Sequence, residues 1–301
     1  MRRRRVGPGD RQRMIDLMVA YRAAGYVARY PTVWRFQLLL DSRVWDMERD
    51  VQLWDDEGGN LVACGLLWKR RREDPYFALE RILRPDTYSA LAGEVVDWAI
   101  TRTAAEAVEK QAKLSLAVMP LEMNMEKDQL LLESKGFERS SEGYNVYMAR
   151  PLADPVARAT VPEGFRLQAL EENDLELYQA IYGFTAVSSD HQRELLKNPD
   201  YQHFVIKAPI GTLAAYLECS FWRDEWAQQR VGWIDYVQTE TEFQRLGLAK
   251  ALMLHGFEYL RQQGANCAML ITRSDNEQGQ ALFKKVGMEI NGNEYVYVKH
   301  V

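Results

Sequence analysis

A helix that opens on a glycine can hold a phosphate, and one segment of this 301-residue chain has that arrangement. From Tyr236 to Met253 a strand-like run enters a short loop and then directly a helical pattern. The loop carries Gln244, Gly247 and Ala249, a Q-x-x-G-x-A spacing. Free amides in the first helical turn, at the positive end of the helix dipole, suit a phosphate or pyrophosphate. Arg245 and Lys250 flank the turn and add positive charge. A glycine there lets the backbone approach a ligand, but small residues at Gly247 and Ala249 equally permit close helix packing.

A second pattern follows the next strand-like run. Asn276, Phe283 and Gly287 stand seven and then four residues apart in Ser-Asp-Asn-Glu-Gln-Gly-Gln-Ala-Leu-Phe-Lys-Lys-Val-Gly. Together the two patterns resemble the acetyl-CoA-binding motifs of the GNAT N-acetyltransferase superfamily, over roughly Gly164 to the C-terminus. The resemblance implies acetyl-CoA as co-substrate. Val237, Gln238 and Thr239 would then end a strand splayed from its neighbour and pair their backbone with the pantetheine arm. Gln244 would belong to the cofactor-binding loop, Arg245, Leu246, Gly247, Leu248, Ala249 and Lys250 would hold the pyrophosphate, and Asn276 would contact the CoA arm. The family usually has tyrosine where Phe283 stands, as the acid for the leaving thiolate. Phenylalanine has no proton to give, so this chain departs from the pattern there.

Transfer of an acyl group to an amine also needs a base. Asp235 lies two residues before Val237 and shares its face on an alternating strand, beside Trp233 and Tyr236. Glu218, in the preceding strand, is the second candidate. Either carboxylate could instead be a structural hydrogen-bond acceptor. Trp222 and Trp226, in the loop before the Asp235 strand, could close over a substrate or cap the core. The four histidines have no metal-ligand spacing, and His255 reads as a packing or surface residue. No metal is expected.

The elements that must position these groups alternate in a way that predicts a mixed α/β (α+β) fold. In the second half, strands are expected at 165–170, 203–207, 212–221, 231–239, 267–272 and 294–301. Helices are expected at 246–263 and 276–286, and a capping box at Asn173 and Glu176 opens an earlier one with Leu175, Tyr178 and Ile181 on one face. At an offset of 151 residues the first half repeats this order: Val62-Ala63-Cys64 faces Leu213-Ala214-Ala215, and Gly136-Phe137-Glu138 faces Gly287-Met288-Glu289. Two tandem GNAT-like domains follow, each a mostly antiparallel twisted sheet flanked by helices. The expected division is a degenerate domain at 1–152, a Pro-rich linker at 153–162 and the acetyl-CoA-binding domain at 163–301. Where the first half should carry its CoA loop, Arg84 to Gly93, no Q/R-x-x-G-x-G/A exists.

Composition narrows the partners. A net charge of −5, with 38 basic against 43 acidic residues, argues against a nucleic-acid binder. Arg2 to Arg5 reads as a solvated terminus and Lys69 to Arg72 as an exposed strand end. No apolar run spans a membrane and none follows the N-terminal arginines as a secretory signal, so the expected location is the cytoplasm. Cys64, Cys219 and Cys267 read as small core residues. No G-x-x-x-x-G-K-[ST] or G-x-G-x-x-G sequence supports a nucleotide-triphosphate or nicotinamide site. The resulting expectation is a CoA-dependent N-acyltransferase, monomeric or homodimeric, acting on a small-molecule or peptide amine by direct attack. The alternative is a non-catalytic acyl-CoA sensor or interaction module.

Overall fold

The computed structural model describes residues 1–26, 31–41, 46–69, 74–153, 155–171, 196–223 and 230–301. In chain order, the first half has β1 (Arg2–Arg4), α1 (Asp10–Ala23), α2 (Val33–Asp41), α3 (Met47–Asp50), β2 (Val51–Asp55), β3 (Leu61–Trp68) and β4 (Tyr76–Leu83). It continues with α4 (Tyr88–Lys110), β5 (Ser115–Val118), α5 (Met125–Ser134) and β6 (Glu138–Pro151). The second half has β7 (Arg166–Ala169), β8 (Tyr201–Lys207), β9 (Leu213–Ser220), β10 (Val231–Thr239), α6 (Leu248–Gln262), β11 (Cys267–Arg273), α7 (Glu277–Lys285) and β12 (Glu289–His300). The helix expected from Asn173, His191 and the Trp226 end of its loop lie outside the described residues.

Two compact units form, and neither is one continuous stretch of chain. The first comprises Met1–Arg29, Ser42–Asn145 and Asn293–Val301, and the second Tyr30–Asp41 and Val146–Gly292. The expected 153–162 linker lies within the second of these units. The end of β6 joins the second unit, the end of β12 joins the first, and α2 belongs with residues far downstream. The cause is strand pairing, which is chosen by surface match rather than by nearness in sequence: β12 pairs antiparallel with β5, Tyr297 opposite Val118.

In the first unit the strands run in the order β1-β2-β3-β4-β5-β12, antiparallel except for the β4–β5 pair. α4 packs on this sheet through Leu91, Val95, Trp98 and Ala99, the i, i+4, i+7, i+8 pattern of one helical face. Trp98 meets Trp54 edge to face, with ring centroids 6.1 Å apart. The N-terminal arginines are not a frayed terminus. Arg2–Arg4 pair with Asp55–Leu53, and the Arg4 guanidinium is held between Asp10 and Asp55. Lys69 is not an exposed strand end: it is buried, donates to Asp74 O at 3.0 Å and lies over the Phe77 ring. In both places a carboxylate, carbonyl or ring offsets the loss of water that composition alone leaves out.

This unit also buries Glu80. Burial, then the nearby Glu294, push its carboxyl up to about 8, while Arg81 opposes the shift. A folded value raised above the ordinary 4.5 means that stability is full at low pH and is lost as pH rises toward 8. Glu80→Gln is therefore expected to match wild type in melting temperature near pH 5 and to exceed it by several degrees at pH 8, measured by thermal melts across that range.

The second unit has the order β6-β11-β10-β9-β8-β7, in which β10–β11 is parallel and the β10–β9, β9–β8 and β8–β7 pairs are antiparallel. α6 lies on β9 and β10 through Leu248, Leu252, Phe257 and Leu260. Two glycines let it approach this closely. A Cβ at Gly232 would stand 2.6 Å from Leu260, and one at Gly256 3.0 Å from Leu217. Cys64 and Cys219 are buried and Cys267 is half-buried.

Candidate active site

β10 is the element that makes a site. Its register with β11 covers only Val231–Trp233 against Cys267–Met269. Beyond Trp233 it stays paired with β9, Val237 opposite Leu217 and Thr239 opposite Ala215. The other edge of Val237, Gln238 and Thr239 thus has no partner strand among the described residues. Burial follows the same division: Val231–Ile234 are buried and Asp235–Thr239 are half-buried. The hydroxyl of Thr239, at the end of this edge, is enclosed and has no hydrogen-bond partner among the described residues.

The chain then runs through Gln244, which reaches back to Thr239 O at 3.5 Å, into α6. Gly247 precedes the helix at φ 81° and offers no side-chain cap, so the first-turn amides of Leu248, Ala249 and Lys250 remain open. A Cβ at Gly247 would meet nothing within 4 Å. That decides between the two readings of this glycine: it serves backbone conformation and open space, not helix packing. Arg245 is also left-handed, at φ 65°, a conformation that costs a non-glycine residue about 1 kcal/mol or more. Leu246 is exposed and Ala249 half-buried. The loop borders a cleft of about 640 Å³, whose other walls include the linker from Ala157 to Pro162 and the Val286–Gly287 turn.

Asn276 caps α7, accepting from Gly279 N at 3.0 Å and donating to Thr272 Oγ1 at 2.9 Å. Its carbonyl oxygen has a structural duty that the spacing alone did not reveal. Phe283 is buried on α7.

The two carboxylates differ in surroundings. Asp235 is the extra residue of a β-bulge, since Ile234 faces Cys219 and Tyr236 faces Glu218. Its oxygens accept from Thr32 Oγ1 at 2.9 Å and from Ser220 Oγ. Glu218 is 1% exposed and receives Arg35 Nη2 at 3.2 Å. His203 stands opposite Glu218 across the β8–β9 pair, with Nε2 3.7 Å from Oε1. Burial, then the Arg35 charge, hold His203 well below its ordinary pKa, so it is neutral at pH 7. Tyr216 and Tyr236 stack 5.6 Å apart, and the Tyr236 hydroxyl donates to Gln238 Oε1 at 2.7 Å.

Thr32, Trp34 and Arg35 are the residues that sequence reasoning missed. Thr32 caps α2 by accepting from Arg35 N at 3.3 Å, and the same hydroxyl reaches Asp235. Arg35 also donates to Asp235 O at 3.2 Å. Trp34 stacks on Tyr201 with centroids 4.7 Å apart. They lie about two hundred residues upstream of β10, in the half without motifs, and no spacing rule links the two segments. Of the other histidines, His255 packs edge-on against Phe204. Among the described residues no cluster of His, Cys, Asp or Glu could hold a metal, and no helix is long and apolar enough to cross a membrane.

The first unit has a parallel pair of its own. β4 and β5 pair over Tyr76–Leu79 against Ser115–Val118 and no further. Past that point stands the buried Arg81 guanidinium, donating to Met119 O at 3.0 Å and to the buried Asp128. Asp128 also receives Tyr88 Oη at 3.1 Å and Leu121 N at 2.9 Å. Instead of a glycine loop, a 3-10 turn at Pro85–Thr87 leads into α4.

A mixed sheet whose parallel β10–β11 pair stops at Trp233, beside an open helix N-terminus, defines a fold class. Comparison with known proteins makes the class specific. Residues 167–288 match the Acetyltransferase (GNAT) family. A mycothiol acetyltransferase of Paenarthrobacter aurescens (strain TC1) is 40% identical over 57 residues, which span 19% of this chain and 18% of that protein. Two solved structures share the fold along almost the whole chain at 16% identity. A tandem GNAT protein from the clavulanic acid biosynthesis pathway has a TM-score of 0.67, covering 99% of this chain and 98% of that one. A GCN5-related N-acetyltransferase from Sphaerobacter thermophilus has a TM-score of 0.63, covering 99% and 95%. The tandem arrangement expected from the internal repeat is thus a fold that known GNAT proteins share.

Proposed function

We propose that the second unit transfers an acetyl group from acetyl-CoA to an amine of a small molecule or peptide. The observation that carries this reading is the open edge of Val237–Thr239 running directly into the uncapped, left-handed start of α6. Pantetheine amides would add to the open edge as a short strand, and the pyrophosphate would meet the amides of Leu248 to Lys250. A backbone N–H of that edge would polarise the thioester carbonyl. The amine nitrogen attacks the carbonyl carbon, the new C–N bond forms and the C–S bond breaks. Asp235, directly or through a water, takes the proton the amine loses. The sulfur leaves as thiolate, since Phe283 cannot protonate it. Glu218, covered by Arg35, serves to hold that guanidinium over the bulge.

Phe283 also motivates a second reading, a module that binds acyl-CoA without turnover. Thiol release from acetyl-CoA across a broad amine panel separates the two. Wild type is expected to turn over at least one amine, and Phe283→Tyr to raise its kcat by roughly 3- to 10-fold, at the low end of what a placed acid contributes. Tight binding with no turnover by either protein supports the module.

A further inference from the structure

The cleft beside α6 carries more positive charge than a pyrophosphate needs. Arg150, Arg158, Lys250 and Lys285 all line it, and among the described residues no acidic side chain does, although the chain as a whole is acidic. Arg150 is anchored: it donates to Val286 O and lies over the Phe257 ring at 5.1 Å. Arg158, Lys250 and Lys285 have no carboxylate partner among the described residues. A pyrophosphate diester brings about two negative charges, and the α6 amides with Lys250 already answer it. Arg158 comes from the linker and Lys285 from the end of α7, on other walls of the cleft. A phosphomonoester adds about −1.5 to −2 at pH 7, and it is the group that matches this surplus.

We infer that the linker is part of the cofactor site, and that Arg158, with Lys285, binds the 3′-phosphate of CoA and so selects CoA over its 3′-dephospho form. This rests on the acetyl-CoA reading above. It gives the segment expected to be a linker a binding role in place of a spacer role. Arg158 is exposed, so its replacement removes a charge without disturbing the core.

Calorimetric titration with CoA and with 3′-dephospho-CoA tests the inference without any acceptor. Wild type is expected to bind CoA at least about 10-fold more tightly than dephospho-CoA, one charge-assisted contact's worth. Arg158→Gln is expected to lose about that factor for CoA and to leave dephospho-CoA unchanged, with Lys285→Gln acting in the same sense. Equal binding of both ligands by wild type, or equal weakening of both in Arg158→Gln, overturns the inference while leaving the acetyl-CoA reading intact. Binding of neither ligand by wild type overturns the acetyl-CoA reading, and this inference with it.

Discussion

Gly247→Trp is expected to abolish acetyl-CoA binding, by 100-fold or more (about 2.7 kcal/mol), in a protein that remains folded. Two observations combine to give that result. The residue is left-handed at φ 81°, so any side chain there costs roughly 1–2 kcal/mol of strain. A Cβ at the position meets no protein atom within 4 Å, so the indole would point into open space rather than into the core. That space is where the pyrophosphate must approach the α6 amides. Gly247→Ala separates the contributions: it carries the strain with little bulk and should weaken binding by roughly 10-fold or less. Titration of both variants, beside their melting curves, checks the prediction. Near-wild-type affinity in Gly247→Trp would place the phosphate elsewhere.

The second large effect is expected at Asp235. Asp235→Asn keeps the shape of the bulge and removes the base, and should lower kcat by about 10² to 10⁴ with acetyl-CoA affinity within about threefold of wild type. Thr32 extends the test. Thr32→Val removes the hydroxyl that donates to Asp235, and about 10-fold of kcat should follow from the loosened carboxylate, whereas Thr32→Ser keeps the hydroxyl and the rate. Steady-state kinetics on the best amine from the panel, as separate kcat and KM, checks all three. Full activity in Asp235→Asn excludes Asp235 as the base. Loss in Asp235→Asn with none in Thr32→Val leaves Asp235 as the base and denies Thr32 a positioning role.

Local features of the second unit were legible in the sequence because they are local. The expected 231–239 strand is β10, and the helix expected at 246–263 is α6 at 248–262, since alternation, a glycine start and Gly264 at the end mark them within one segment. The splay of β10 from β11 entered through family resemblance, and the register then located where pairing stops, after Trp233. What the sequence did not reveal is non-local. Nothing in Thr32-Val-Trp-Arg35 says that it will lie against a strand about two hundred residues away, because one helix N-cap looks like another until its partner is present. The pairing of β12 with β5 is hidden for the same reason. Arg4 and Lys69 looked solvated because composition gives charge but not the carboxylates or carbonyls that receive it. The contrast between Arg81 and Gly247 is sharpest. Absence of a glycine motif marked the first half as different, but only the structure shows the buried Arg81–Asp128 pair that stands past the β4–β5 pairing. Removing either partner would strand a buried charge at a cost of about 3–5 kcal/mol.

Two like folds, of which one carries the Gly247 loop, lead to a single number. Equilibrium titration of the full chain with acetyl-CoA is expected to give one molecule bound per chain, lost in Gly247→Trp and retained in Arg81→Lys. Two molecules per chain, or one that survives Gly247→Trp, would contradict the account.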